Sequence, residues 1–274
     1  MEKFRKITFF VLIIVFLTIF LVCGLKVGQY ILDARQQSSA YEDLASRVEA
    51  ARNQAATATS PNKSTTPRNP EDGEIDATIE TEPMLLPELE ELLALNPDTV
   101  GWLTIPDTKI NYPVMQTPDR PDYYLRRNFE GENNSHGALY INENCDVHKP
   151  SDNVTIFGHN MKNGSMFADL NKFKNEGFLE AHPTFSFDTL YRRGTYEIFA
   201  VFTTTASVGE GFSYHNFIDA YDEADFDNFI SLCKGLSFYD TGITPTYGDK
   251  ILCLSTCEYS QVNGRLVVAA RLVP

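Results

Sequence analysis

The run from Ile7 to Leu25, nineteen residues without a charge, constrains this chain more than any other segment. As a helix it is about 28 Å long, close to the hydrocarbon thickness of a bilayer. Lys3, Arg5 and Lys6 precede it and outnumber Glu2, while only Lys26 follows closely. That bias keeps the N-terminus in the cytoplasm and puts the rest of the chain outside. The run is longer than the apolar region of a cleaved signal, no small-x-small pattern closes it, and Val22 before Cys23 is bulkier than a lipidation site carries. The expectation is an uncleaved, single-pass cell-membrane anchor: a cytoplasmic tail at 1–6, a span at 7–25, and an extracellular remainder.

From 26 to 83 the residues read as a stalk. Gln29 to Ala56 is rich in Ala, Gln, Arg and Glu and predicts an exposed or self-associating helix. "TATSPNKSTTPRNP" is then low in complexity and broken by proline, and nine acidic residues without a base lie between Glu71 and Glu91, which predicts disorder and self-repulsion.

Globular patterning begins at 84 and continues to 274. "PELEELLALNPD" presents Leu86, Leu89, Leu92 and Leu93 on one face of a short helix. Seven short β-like segments follow, "VGWLTIP", "KINYPVMQ", "GALYIN", "NVTIFG", "TYEIFAVFTTTA", "KILCLSTC" and "RLVVAARLV", and seven or eight such strands with few helices predict a mostly β, closed barrel. Two helical stretches interrupt them, "SMFADLNKFKN" and, before the penultimate strand, "YDEADFDNFISLCKGL", where Phe226, Phe229, Ile230 and Cys233 recur at helical spacing.

The net charge of −14 argues against a nucleic-acid partner, which needs a basic stripe. Five cysteines with no CxxC pair do not make a disulfide framework. Cys145 and His148 form a lone CxxH that lacks the further ligands zinc requires, so no metal or cofactor is expected.

Cys257 and Arg265 lie eight positions apart across the turn "EYSQVNG", whose Asn-Gly pair supplies the positive φ of a tight reversal. A hairpin there brings both to one rim. A cysteine attacks as thiolate and profits from a cationic neighbour, and a histidine is the usual proton carrier. His159 in "NVTIFGHNMKNGSMF" follows a strand and a glycine and sits on a strand-end rim too; His136, His148, His182 and His215 lie in polar surroundings that read as exposed loop. Cys253, four residues earlier on the same face, is expected deeper in the barrel and inert. On residue chemistry alone two readings stand: a Cys257–His159–Arg265 site, or a buried cysteine and a surface arginine.

"LSTC" followed by Arg265, with "FGHN" upstream, resembles the active-site signature of sortases, the cysteine transpeptidases of Gram-positive cell surfaces. "NPDTVGWLTIPDTKINYPVMQ", "YYLRRNF" and "HNMKNGSMFADL" are similar to class B. The resemblance covers about Leu86 to Pro274 and departs in two places: Arg265 follows Cys257 more closely than in several class members, and Pro121 stands where an Asn can occur. It implies the eight-stranded sortase barrel, with Cys257 as nucleophile, His159 as general acid and base and Arg265 as oxyanion group. It further implies substrate contacts near Leu125, Ser255, Thr256 and Glu258. The implied partners are a surface protein bearing an NPxTx or [SNP]PxTG-like sorting motif and a peptidoglycan amine. A catalytically inactive binding ectodomain and a pilus-polymerising enzyme are the alternatives; a papain-like hydrolase is excluded by its missing local signature and by His preceding Cys.

Overall fold

The computed structural model describes residues 2–58, 84–207 and 209–274. Of the stalk expected at 26–83, residues 59–83 lie outside the described residues. The chain divides into two compact units, Met1–Asp43 and Leu44–Pro274. In the first, helix α1 (Glu2–Ala58) begins and carries the only stretch among the described residues that is long and apolar enough to cross a membrane.

The second unit is the barrel and what packs on it. Its strands are β1 (Thr99–Thr104), β2 (Asn111–Met115), β3 (Leu139–Ile141), β4 (Asn153–Phe157), β5 (Thr184–Thr189), β6 (Thr195–Thr205), β7 (Ile251–Glu258) and β8 (Gly264–Leu272). They close in the order β1-β2-β3-β4-β7-β8-β6-β5, with β5 pairing back to β1. The β2–β3 and β4–β7 pairs are parallel and the other pairings are antiparallel. Parallel neighbours need long crossovers. The connections 116–138 and 158–250 provide them.

The expected closed, mostly β barrel is what the chain forms. The eighth strand, β5, is the one missing from the segments read by sequence: "TFSFDT" alternates Phe185 and Phe187 with polar residues, but it is short and follows a proline. The stretch expected as one helix after β4 is a 3-10 segment, Phe167–Lys174, followed by α3 (Glu176–Ala181), whose Asn175 cap accepts from the Phe178 amide at 3.2 Å.

Helix α2 (Pro87–Leu95) starts with proline in its first turn and buries Leu89 and Leu92. Helix α4 (Glu223–Leu236) is capped by Asp222, whose carboxylate accepts from the Asp225 amide at 2.9 Å. Its Phe226, Phe229, Ile230 and Cys233 form a core with Phe199 and Phe202 of β6, Val267 and Ala269 of β8, and Ile251 and Cys253 of β7. With one face in the barrel and the other under α4, β6 and β8 read as continuous apolar runs rather than alternating ones.

The end of α1 belongs to the barrel unit, which therefore starts before the expected boundary at 84. Leu44 and Val48 are buried. Arg47 reaches Glu91 of α2 at 2.6 Å, and Arg52 reaches Asp188 of β5 at 2.5 Å and Glu88 of α2 at 3.5 Å. The Glu88 side chain is fully buried; burial alone would raise its pKa, but the Arg193 fork at 2.5 and 2.9 Å and the nearby Arg52 outweigh it and hold the carboxyl below its ordinary value. A composition suited to an exposed helix hides this docking because it depends on a buried carboxylate supplied by another element.

Candidate active site

Parallel pairing of β4 with β7 places the site. Phe157 is level with Ser255 in that register, and two residues further along each strand stand His159 and Cys257. Beyond the ladder the segments stay stitched: the Gly158 amide donates to the Ser255 carbonyl at 3.1 Å, Thr256 Oγ1 to the Gly158 carbonyl at 2.7 Å, and Asn160 Nδ2 to the Cys257 carbonyl at 2.9 Å. Glycine is required at 158, because a Cβ there would sit 2.5 Å from Leu139 Cδ2 and 2.6 Å from Phe167 Cδ2. The histidine therefore follows the strand at one fixed height.

The β7–β8 hairpin supplies the third group. Cys257 and Arg265 are direct cross-strand partners, so their side chains emerge side by side on one face. At the turn, Asn263 takes the positive φ, 52°, while Gly264 is needed because a Cβ would collide with the Glu258 carbonyl. Arg265 Nη1 donates to the carbonyls of Asn263 and Gly264 at 3.2 and 3.0 Å, which anchors one edge of the guanidinium and leaves the rest for the cleft.

His159, Cys257 and Arg265 line one cleft of about 350 Å³ together with Leu125, Ser255 and Thr256. A larger groove of about 800 Å³ beside α4 is distant from this chemistry and holds no cysteine or histidine. Within the cleft, His159 Nε2 lies 2.7 Å from the Leu125 carbonyl. That contact places the proton on Nε2 and leaves Nδ1 to carry protons in the cleft.

The remaining expected residues separate. Ser255 is buried, its hydroxyl in a short hydrogen bond with Tyr214, and the Thr256 hydroxyl is spent on Gly158, so neither side chain is free for a substrate. Glu258 does not line the cleft. Burial would raise its pKa, but Lys174 at 2.8 Å and the amide and hydroxyl of Ser260 override that and take it down to about 2. The carboxylate is a strut between β7 and the 3-10 segment, a contact invisible in local sequence. Cys253 is fully buried in the core it shares with α4, and burial pushes its thiol well above the usual range; Cys145 is pushed up to about 11 by burial.

Three histidines depart from the exposed-loop expectation. His136 is buried, with Nδ1 3.2 Å from Asn134 Oδ1 and Nε2 3.2 Å from Asn163 Nδ2. His182 stacks on Phe178, and its hydrogen bond to Asp107 at 2.8 Å raises its pKa. His215 is half-buried and lines the cleft. Polar neighbours in sequence signalled loops correctly but not which loops fold inward. Among the described residues no cluster of three His, Cys, Asp or Glu side chains could hold a metal.

The Sortase domain family matches residues 103–273. Over 191 residues, 68% of this chain and 74% of the relative, the sequence is 41% identical to sortase B of Listeria monocytogenes. Sortase B of Staphylococcus aureus is 30% identical over 191 residues, 68% of this chain and 75% of the relative. Among solved structures, sortase B from Bacillus anthracis in complex with AAEK1 superposes with a TM-score of 0.67 at 30% identity, over 89% of this chain and 99% of that one. The S. aureus sortase B–substrate complex shares the fold with a TM-score of 0.71 at 24% identity, over 88% of this chain and 98% of that one.

Proposed function

Because the chain belongs to the sortase family as a class B member, a cysteine transpeptidase of surface-protein anchoring, we propose that it joins a sorting-motif protein to a peptidoglycan amine through a thioacyl on Cys257. The observation that carries this reading is the register pairing of Cys257 with Arg265 at the rim where β4 delivers His159.

In the first half-reaction the Cys257 thiolate attacks the carbonyl of the motif threonine, the C–N bond breaks, and His159 gives its proton to the departing amine. In the second, an incoming amine attacks the thioacyl carbon, His159 takes its proton, and the C–S bond breaks to release the Cys257 thiolate. Arg265 faces the oxyanion in both steps, a contribution of about 3 kcal/mol for one well-placed donor. The fixed guanidinium edge suits this role, since a donor that is already positioned costs no reorganisation during reaction.

The domain reading accompanies the chemistry. Residues 7–25 cross the membrane with 1–6 inside, and the barrel acts outside the cell with the end of α1 docked on it.

The test uses the full chain in detergent micelles against quenched peptides with NPQTN, NPKTN, SPKTG, PPKTG and LPETG cores. We expect cleavage after threonine of at least one core, reduced by more than about 10³-fold in Cys257→Ala. Cleavage that survives the substitution would remove Cys257 from the mechanism.

A further inference from the structure

Glu143, just past β3, lines the cleft half-buried, and among the described residues its carboxylate has neither a hydrogen bond nor an ion pair. Among the described residues Arg265, on the same lining, forms no ion pair with it.

The same cleft is lined by an imidazole, that of His215. Asn142, the residue before Glu143, donates from Nδ2 to the carbonyl of His215 at 3.1 Å, which ties the loop after β3 to the segment carrying that ring. The ring is held edge-on between Tyr214, centroids 5.3 Å apart, and Phe157, at 6.4 Å, while among the described residues neither ring nitrogen has a hydrogen-bond partner. Burial, and then the charge of Arg265, lower its pKa, so the ring is neutral near pH 7 and can accept a hydrogen bond. Asp122 adds a second carboxylate to the lining, with one oxygen accepting from the Tyr140 hydroxyl at 2.8 Å.

We propose that Glu143 and His215 form an ammonium-binding subsite in the cleft that Arg265 also lines. This rests on the transpeptidase reading. An ammonium donates up to three hydrogen bonds and carries the charge that an unpaired, half-buried carboxylate lacks. The reaction offers two sources of it: a lysine side chain within the sorting peptide, and the acceptor amine before it loses its proton.

Binding to the full-length Cys257→Ala chain in micelles, read by fluorescence anisotropy, tests this without turnover. One arm uses a dye-labelled NPKTN peptide against its norleucine counterpart; the other uses a diaminopimelate-containing tripeptide against its side-chain-acetylated form. We expect the ammonium ligand of one arm to bind about tenfold tighter than its neutral counterpart. Glu143→Gln should bring that ratio within about twofold, and His215→Phe should lower it in part. Glu143→Lys should invert a preference in the peptide arm, favouring NPETN, a gain that a misfolded variant cannot show. The arm that responds identifies the source. Equal binding of charged and neutral ligands in both arms, or a preference that survives Glu143→Gln, overturns the subsite. Failure of the cleavage panel bears on the transpeptidase reading instead, because these affinities need no thiol.

Discussion

The two ends of β7 carry the same residue type on the same face and put it to opposite uses. Cys253, level with Thr155 of β4 and Ala269 of β8, is sealed beneath α4 with a thiol pushed far up by burial. Cys257, four residues further on, is past the reach of α4, half-buried in a cleft beside Arg265 and level with His159. Alternation along the strand is identical at both positions, so what distinguishes them is cover: aromatic side chains of a helix over one, and a hairpin arginine and a strand-end histidine around the other. A thiolate forms only where its charge can be solvated or paired.

The sharpest way to break this contrast is to remove the cover. Phe229 of α4 is 3% exposed and stacks on Phe217 at 4.1 Å, so Phe229→Ala should cost about 3–5 kcal/mol by urea denaturation. It should also make Cys253 reactive to iodoacetamide, whereas in the native chain Cys257 is alkylated and Cys253 is not. Equal labelling of both thiols in the native chain would show that cover is not what separates them.

A smaller effect is expected at the open end, where Lys174–Glu258 takes over the support that packing gives below. Glu258 has a folded pKa near 2, below its ordinary 4.5, so its contribution is present above pH 4.5 and is lost as pH falls towards 2. Lys174→Met should therefore destabilise the chain by about 1 kcal/mol at pH 7. The difference should shrink on acidification to pH 3 and below, followed by denaturant midpoints across pH.

The smallest effect on activity belongs to the buried cysteine itself. Cys253→Ala removes one sulfur from a packed core and should cost about 1 kcal/mol, with peptide cleavage within about twofold of the native chain. A large loss of cleavage would mean that Cys253 supports the rim through its packing.

Much of this site is legible locally. The turn "EYSQVNG" between two apolar runs specifies an antiparallel return, and the return makes Cys257 and Arg265 partners. The apolar run before "GHN" specifies a strand end, which is where His159 stands. Glu258 and His215 were not legible in the same way. Glu258 directly follows the cysteine, which suggests a cleft residue, yet Lys174 takes its carboxylate. His215 stands between Ser213 and Asn216 in a stretch typical of loops, yet Asn142 draws its backbone to the cleft.

The sequence alone determined what depends on neighbours along the chain: the apolar run of 7–25, the strand segments, the apolar face of α4 and the return of the final hairpin. These follow from the periodicities of strand and helix and from turn chemistry, which act over a few residues. Tertiary structure decided what depends on residues far apart in sequence. Those outcomes are the closure of the barrel through β5, the docking of Arg52 on Asp188 and Glu88, and the separation of Cys253 from Cys257. They also include the placement of Glu143 and His215 on the lining of one cleft. Burial and charge pairing are set by which elements meet, and only the closed barrel makes them meet.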